Sequence, residues 1–184
     1  MSAGAEKRME SEAIIRRLAA FPEALGAAVG AVTPEEAGWK PASGAWSILE
    51  IVCHLVDEER DDFRMRVRLT LEDRAAAWPP IDPEGWARTR GYSARDLGTM
   101  TAEFARERAA SIAWLRALPG GPAKTDWSVA HAHPKFGPIR AGDLLASWAA
   151  HDALHLRQIA KRLFEIAGRD AGACSTRYAG DWGP

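Results

Sequence analysis

Apolar residues in this chain recur every three or four positions, and clean two-residue alternation is hard to find. Ile48, Ile51, Val52 and Leu55 mark one helical face, and Leu144, Trp148 and Ile159 mark another. A chain patterned this way has to bury helical stripes against one another rather than the face of a sheet. Composition agrees, since Ala, Leu, Arg and Glu are abundant while Val, Ile, Thr and Tyr are sparse. The expected fold class is all-α. With 184 residues, 47% of them hydrophobic, the chain can bury a full core without a disulfide or structural metal. It reads as one domain over residues 1–184 with a short irregular C-terminal tail.

Local punctuation divides the chain into four long helices. The first is expected over about residues 6–31, broken or kinked near Phe21 because Pro22 removes a donor and disfavours α geometry before it. Thr33-Pro34-Glu35-Glu36 should open a short turn, with proline at N1 and an acid at N3. Residues 39–45 read as a loop. Ser47 and Glu50 then form a capping box that starts the second helix, with Trp46 placed as a staple, and the helix should run to about Asp73. Residues 78–91, with three prolines and Gly85, read as a long connection. Ser93 to Asp96 has a capping-box pattern that should open the third helix, which runs to about Leu118. Residues 124–138 read as irregular. The fourth helix is expected over about residues 140–167, ending at Gly168. Four long helices imply a four-helix bundle, and the long second and third connections leave its hairpin order open.

Charge and targeting signals narrow the function classes. The formal net charge is −1, and the arginines between Arg60 and Arg68 interleave with acids and apolar residues as on a solvated helix face. Nucleic acid is therefore not an expected partner. No apolar run is long enough to span a membrane, and the N-terminus lacks a signal-peptide core. Cys53 and Cys174 lie far apart and form no CxxC pair, which suits a reduced, cytoplasmic setting.

The histidines carry the chemistry. His151 and His155 are four apart and share one helical face with Leu144, Trp148 and Ile159. His54 lies beside the apolar stripe of the second helix, on the same face as Glu50 and Glu58. Three neutral imidazoles converging inside a bundle would suit a divalent transition metal: zinc, nickel, copper or iron. Three protein ligands leave a position for water or substrate, the arrangement of a catalytic site. Two buried histidines satisfied by carboxylates or carbonyls would show the same spacing, so spacing alone leaves both readings open.

The segment Trp46-Ser47-Ile48-Leu49-Glu50-Ile51-Val52-Cys53-His54-Leu55-Val56-Asp57-Glu58-Glu59 resembles the second-helix signature of the DinB/YfiT-like superfamily. His151-Asp152-Ala153-Leu154-His155-Leu156-Arg157-Gln158-Ile159 is similar to its second signature. Gly137-Pro138-Ile139 and the closing Tyr178 to Pro184 are also similar to members, so the likeness spans roughly residues 14–184. The resemblance implies a four-helix bundle, commonly a homodimer, holding one divalent metal (zinc or nickel, with manganese or iron as further candidates) on His54, His151 and His155. It also implies a small-molecule substrate and a metal-dependent enzyme that activates a thiol or water, as in thiol transferases, isomerases or hydrolases, with a low-molecular-weight thiol as cosubstrate in some members. Some thiol-dependent relatives carry glutamate at the position of His151, so this chain departs from that subtype. A non-catalytic metal-binding stress-response or dimerisation module is the alternative.

Secondary candidates surround these residues. Glu58, one turn after His54, is the first choice for a supporting carboxylate or general base, with Asp57 and Asp152 also close in sequence. Gln158 could hydrogen-bond near the site. His131 and His133 are expected to be solvated, Cys53 to be a small buried residue, and Trp127 and Trp182 to be potential covers of the site.

Overall fold

A computed structural model describes residues 9–183. Its long helical segments are α1 (Ser11–Val29), the run α3 (Ile48–Asp57), a π-helical turn (Glu58–Phe63) and α4 (Arg64–Glu72), then α6 (Leu97–Arg116) and α7 (Ala141–Asp170). Two short helices, α2 (Pro34–Gly38) and α5 (Pro83–Thr89), lie in connections, and strands β1 (Ala130–His133) and β2 (Gly137–Arg140) form an antiparallel hairpin. The architecture is the all-α four-helix bundle the sequence implied, with this hairpin as its sheet. No helix among the described residues is long and apolar enough to cross a membrane.

The bundle is not built from successive hairpins. α1 packs mainly on α6 and α7, and α3 packs on the same two helices. The first and second long helices are therefore set diagonally, as are the third and fourth. Every residue of α3 is buried. A central helix of this kind needs neighbours all round, which explains why Ile48 to Val56 reads as a dense apolar run.

The capping boxes at Thr33/Glu36 and Ser47/Glu50 form as expected, each with both reciprocal bonds. Five expectations about these elements are corrected. Pro22 neither breaks nor ends α1. A proline here cannot bond the Leu18 carbonyl, and the buried Arg108 Nη1 donates to that oxygen instead, at 2.9 Å. The connection over residues 78–91 contains α5, because Asp82 caps it through Gly85 N–H and Pro83 sits at N1. α6 starts one turn later than the Ser93 pattern suggested: Asp96 is its cap and accepts from Thr99 N–H at 2.8 Å. Residues 130–140 form the hairpin, turned with the help of Gly137 at φ 72°. α7 also runs through Gly168 to Asp170. Residues 6–8 of the expected first helix, and Pro184, lie outside the described residues.

Apolar burial falls into two clusters. One gathers Phe21, Leu25, the α3 face, Phe104 and Ile159, and the other gathers Ile15, Leu18, Phe63, Ile112, Leu145 and Trp148. Along the second, third and fourth long helices the change of cluster coincides with buried polar residues: Glu58 and Glu59, Arg108, and Asp152 with His155. The candidate site lies in this polar layer.

Candidate metal centre

His54 comes from the last turn of α3, and His151 and His155 from successive turns of α7. One ligand atom from each lies within 4.8 Å of the others. The ring centroids are 4.2 Å apart for the α7 pair, 4.7 Å for His54 and His155, and 5.4 Å for His54 and His151. The convergence expected from the sequence is present, and His151 is the least buried of the three. Trp46 lies against His54 with centroids 4.8 Å apart, and Phe63 lies 5.0 Å from His151.

The hydrogen bonds fix tautomers. Gln158 Oε1 stands 2.8 Å from His155 Nδ1. An amide oxygen only accepts, so Nδ1 carries the proton and the Nε2 lone pair of His155 faces inward. His151 Nε2 is 3.0 Å from that Nε2. Burial, reinforced by the neighbouring rings, lowers His54 to about 2. Burial likewise lowers His151 to about 3, with His155 and Arg108 adding to it. Burial also lowers His155, against the opposing bond to Gln158. All three imidazoles are neutral at pH 7, the form that ligates a metal.

His54 Nδ1 is buried without a hydrogen-bond partner, and so is Glu58 Oε1 beside it, at a separation of 3.8 Å. That gap is too long for a hydrogen bond. Burial pushes the Glu58 carboxyl up to about 9, and a hydrogen bond with Asp62 adds to the effect. The π turn allows consecutive acids to face different partners. Glu58 turns to His54, while Glu59 accepts from Arg108 Nε at 2.9 Å and Trp148 Nε1 at 2.8 Å. The donor set and an orphaned buried imidazole nitrogen both fit a divalent transition metal.

Other candidates fall elsewhere. Asp152 turns away from its histidine neighbour and takes a bidentate contact from Arg108 at 2.7 and 2.8 Å. Asp57 accepts from the Tyr92 hydroxyl and pairs with Arg90 at 2.8 Å. Cys53 is buried as expected, and burial pushes its thiol up to about 12. His131 is corrected: it is buried rather than solvated, stacked on Trp78 with centroids 4.3 Å apart. His133 Nδ1 accepts from Lys135 and Phe136 N–H in the hairpin turn. Neither joins the three-histidine group. Trp127 donates to the Pro122 carbonyl at 2.8 Å and packs in the second apolar cluster, away from the histidines. Trp182 lines a cavity together with Trp46 and Gln158.

Sequence reasoning missed Phe63 as a wall of the site and Arg108 as the organiser of the polar layer. Phe63 carries no local signal, because the π turn shifts its angular position relative to His54. Arg108 had one faint signal: an arginine where α6 should be apolar.

A profile of the DinB superfamily matches residues 17–159. The chain belongs to the DinB superfamily. Among curated relatives, it is 26% identical over 118 residues to "Putative metal-dependent hydrolase OB0782" of Oceanobacillus iheyensis, a match covering 64% of each chain. A second protein of that organism, OB0413, has the same descriptive name and is 27% identical over 73 residues, 40% of this chain and 42% of its own. The matched segment thus spans less than two thirds of the length of either relative. Among solved structures, YfiT from Bacillus subtilis superposes with a TM-score of 0.77 at 20% identity, covering 90% of this chain and 94% of its own. It is described as "a probable metal-dependent hydrolase with an unusual four-helix bundle topology". The likeness in fold agrees with the diagonal helix order seen here.

Proposed function

We infer that this DinB-superfamily protein is a metal-dependent hydrolase whose ion is held by His54, His151 and His155. The observation that carries the reading is one polar cluster inside the bundle: three neutral imidazoles in mutual reach, with the buried Nδ1 of His54 left without a hydrogen bond. The names of the relatives favour water over a thiol as the nucleophile. Zinc or nickel suits three imidazoles best, and cellular availability selects between them.

A bound dication supplies Lewis-acid chemistry, making water nucleophilic at neutral pH. The chain's own residues do the rest. Gln158 holds His155 in the tautomer that aims Nε2 inward. Glu58 Oε1 lies 3.8 Å from His54 Nδ1 and puts a buried carboxyl beside the cluster. Trp46 and Phe63 flank the imidazoles with apolar surface and limit water around them.

The test is elemental analysis of untagged protein purified without chelators, beside the His151→Ala and His155→Ala variants. About one metal per chain, lost in both variants, is expected from a three-ligand site, together with ester or amide hydrolysis that disappears with it. Protein that takes up neither zinc, nickel nor manganese would overturn the reading.

A further inference from the structure

A cavity of about 810 Å³ adjoins the histidine cluster. That volume suits a small organic molecule. Trp46 and Gln158 belong both to its wall and to the surroundings of the histidines, the first lying against His54 and the second bonded to His155. One side of the cavity is a single helical stripe of α7: Leu154, Arg157, Gln158 and Lys161, at spacings that place them on one face. Trp182 from the C-terminal segment adds a second aromatic surface.

The charge of this wall is one-sided. Its cations are Arg157, Lys161 and Arg162, and its acid is Glu84, from α5. Arg162 is already committed to Glu165 at 2.6 Å. Arg157 and Lys161 have no ion-pair partner among the described residues, and both are exposed to the cavity's solvent. Exposed cations without an ion pair among the described residues occur elsewhere on the bundle, as at Arg16, Arg17 and Arg116; Arg157 and Lys161 differ from those in lining a cavity whose wall is shared with the histidine cluster. Half-exposed Leu154 and the two tryptophans provide apolar contact next to the free cations.

We propose that this cavity is the substrate-recognition site and that it selects small organic anions, an apolar or aromatic body carrying a carboxylate. Arg157 and Lys161 bind the carboxylate, Trp46, Leu154 and Trp182 bind the body, and the reacting end lies on the side of Trp46 and Gln158. Its catalytic meaning rests on the metal-dependent reading above, whereas anion binding by the cavity does not. The guanidinium offers a planar two-point contact that a carboxylate matches and a neutral amide does not.

The experiment compares phenylacetate with its neutral isostere phenylacetamide, titrated by calorimetry and tryptophan fluorescence. Three proteins are used: wild type loaded with zinc, the Arg157→Gln/Lys161→Gln double variant loaded with zinc, and His151→Ala. Wild type should prefer phenylacetate by roughly tenfold, the size of one charge-assisted contact. The double variant should lose that preference with an unchanged melting temperature, since both side chains are exposed. His151→Ala should keep it. A preference that survives in the double variant but vanishes in His151→Ala would belong to the metal and overturn the proposal. Equal binding of the two probes by wild type, or no binding of either, would overturn it as well. Metal content is read separately, so the failure of one reading is distinguishable from the failure of the other.

Discussion

Two buried polar groups lie side by side in this bundle and differ in how far their polar atoms are engaged. Around Arg108 every donor direction in use has an acceptor: Glu59, both oxygens of Asp152, and the Leu18 carbonyl that Pro22 leaves open. Around His54, less than two turns from Glu59 on the same continuous helix, a buried imidazole nitrogen and a buried carboxyl oxygen face each other without a bond. Buried polar groups are normally satisfied; at Arg108 the cation is fully engaged, with one oxygen of Glu59 left over, whereas at His54 neither of the two facing atoms has a partner. The polar layer contains both: one part ties helices together through Arg108, and the other is the part proposed above to hold an ion.

The sharpest way to break this contrast is to cut the Arg108 side. Arg108→Met leaves Glu59 and Asp152 buried without their cation, and should cost about 3–5 kcal/mol, with a fall in melting temperature on the order of 10 °C. Thermal unfolding of chelator-treated protein measures it. A loss of under about 1 kcal/mol would show that the network is not what holds the layer together.

Next in size is the ion itself. Chelation of zinc-loaded wild type should lower stability by roughly 3 kcal/mol at a hundredfold excess of ion over its dissociation constant. His155→Ala should erase that response while leaving the chelated protein within about 1–2 kcal/mol of wild type, because loss of a neutral imidazole, unlike loss of Arg108, leaves no buried charge without its partner. Calorimetric scans with and without chelator give both numbers. A response to chelator that persists in His155→Ala would place the ion elsewhere.

Gln158→Leu sharpens the same side. It removes the acceptor that fixes the His155 tautomer, and should weaken metal binding by about 10–100-fold without moving the melting point of metal-free protein. Competition against a chromophoric chelator reads the affinity. Unchanged affinity would mean that packing alone orients His155.

The smallest expected effect is at Pro22→Ala. Proline inside a helix ordinarily costs about 3 kcal/mol relative to alanine. Here the freed carbonyl is already bonded to Arg108. The gain on substitution should therefore stay under about 1 kcal/mol in wild type, and should grow in the Arg108→Met background. Equal gains in the two backgrounds would uncouple the proline from the network.

Much of this was legible in the sequence because it is local. The Ser47/Glu50 box, the four-residue spacing of His151 and His155, and the proline at N1 of α2 all act within one helical turn, and all formed as read. Asp82 with Pro83 is equally local, and α5 was missed only because the surrounding prolines outweighed a cap and an N1 proline. The hairpin at residues 130–140 was missed for a different reason. Four-residue strands carry too short an alternation to stand out, and Gly137 announces a turn without saying what it joins.

The sequence by itself determined that the chain makes long helices, where most of them start, and that His151 and His155 share a face. Those properties follow from hydrogen bonds and side-chain spacing inside single turns. Tertiary structure decided that His54 meets that pair, that consecutive long helices lie diagonally, and that a proline could stay inside α1. The partners of Arg108 stand 44 to 90 residues away along the chain. Pairings at such separation are set by how whole apolar faces pack, and no local pattern along the chain encodes which faces will meet.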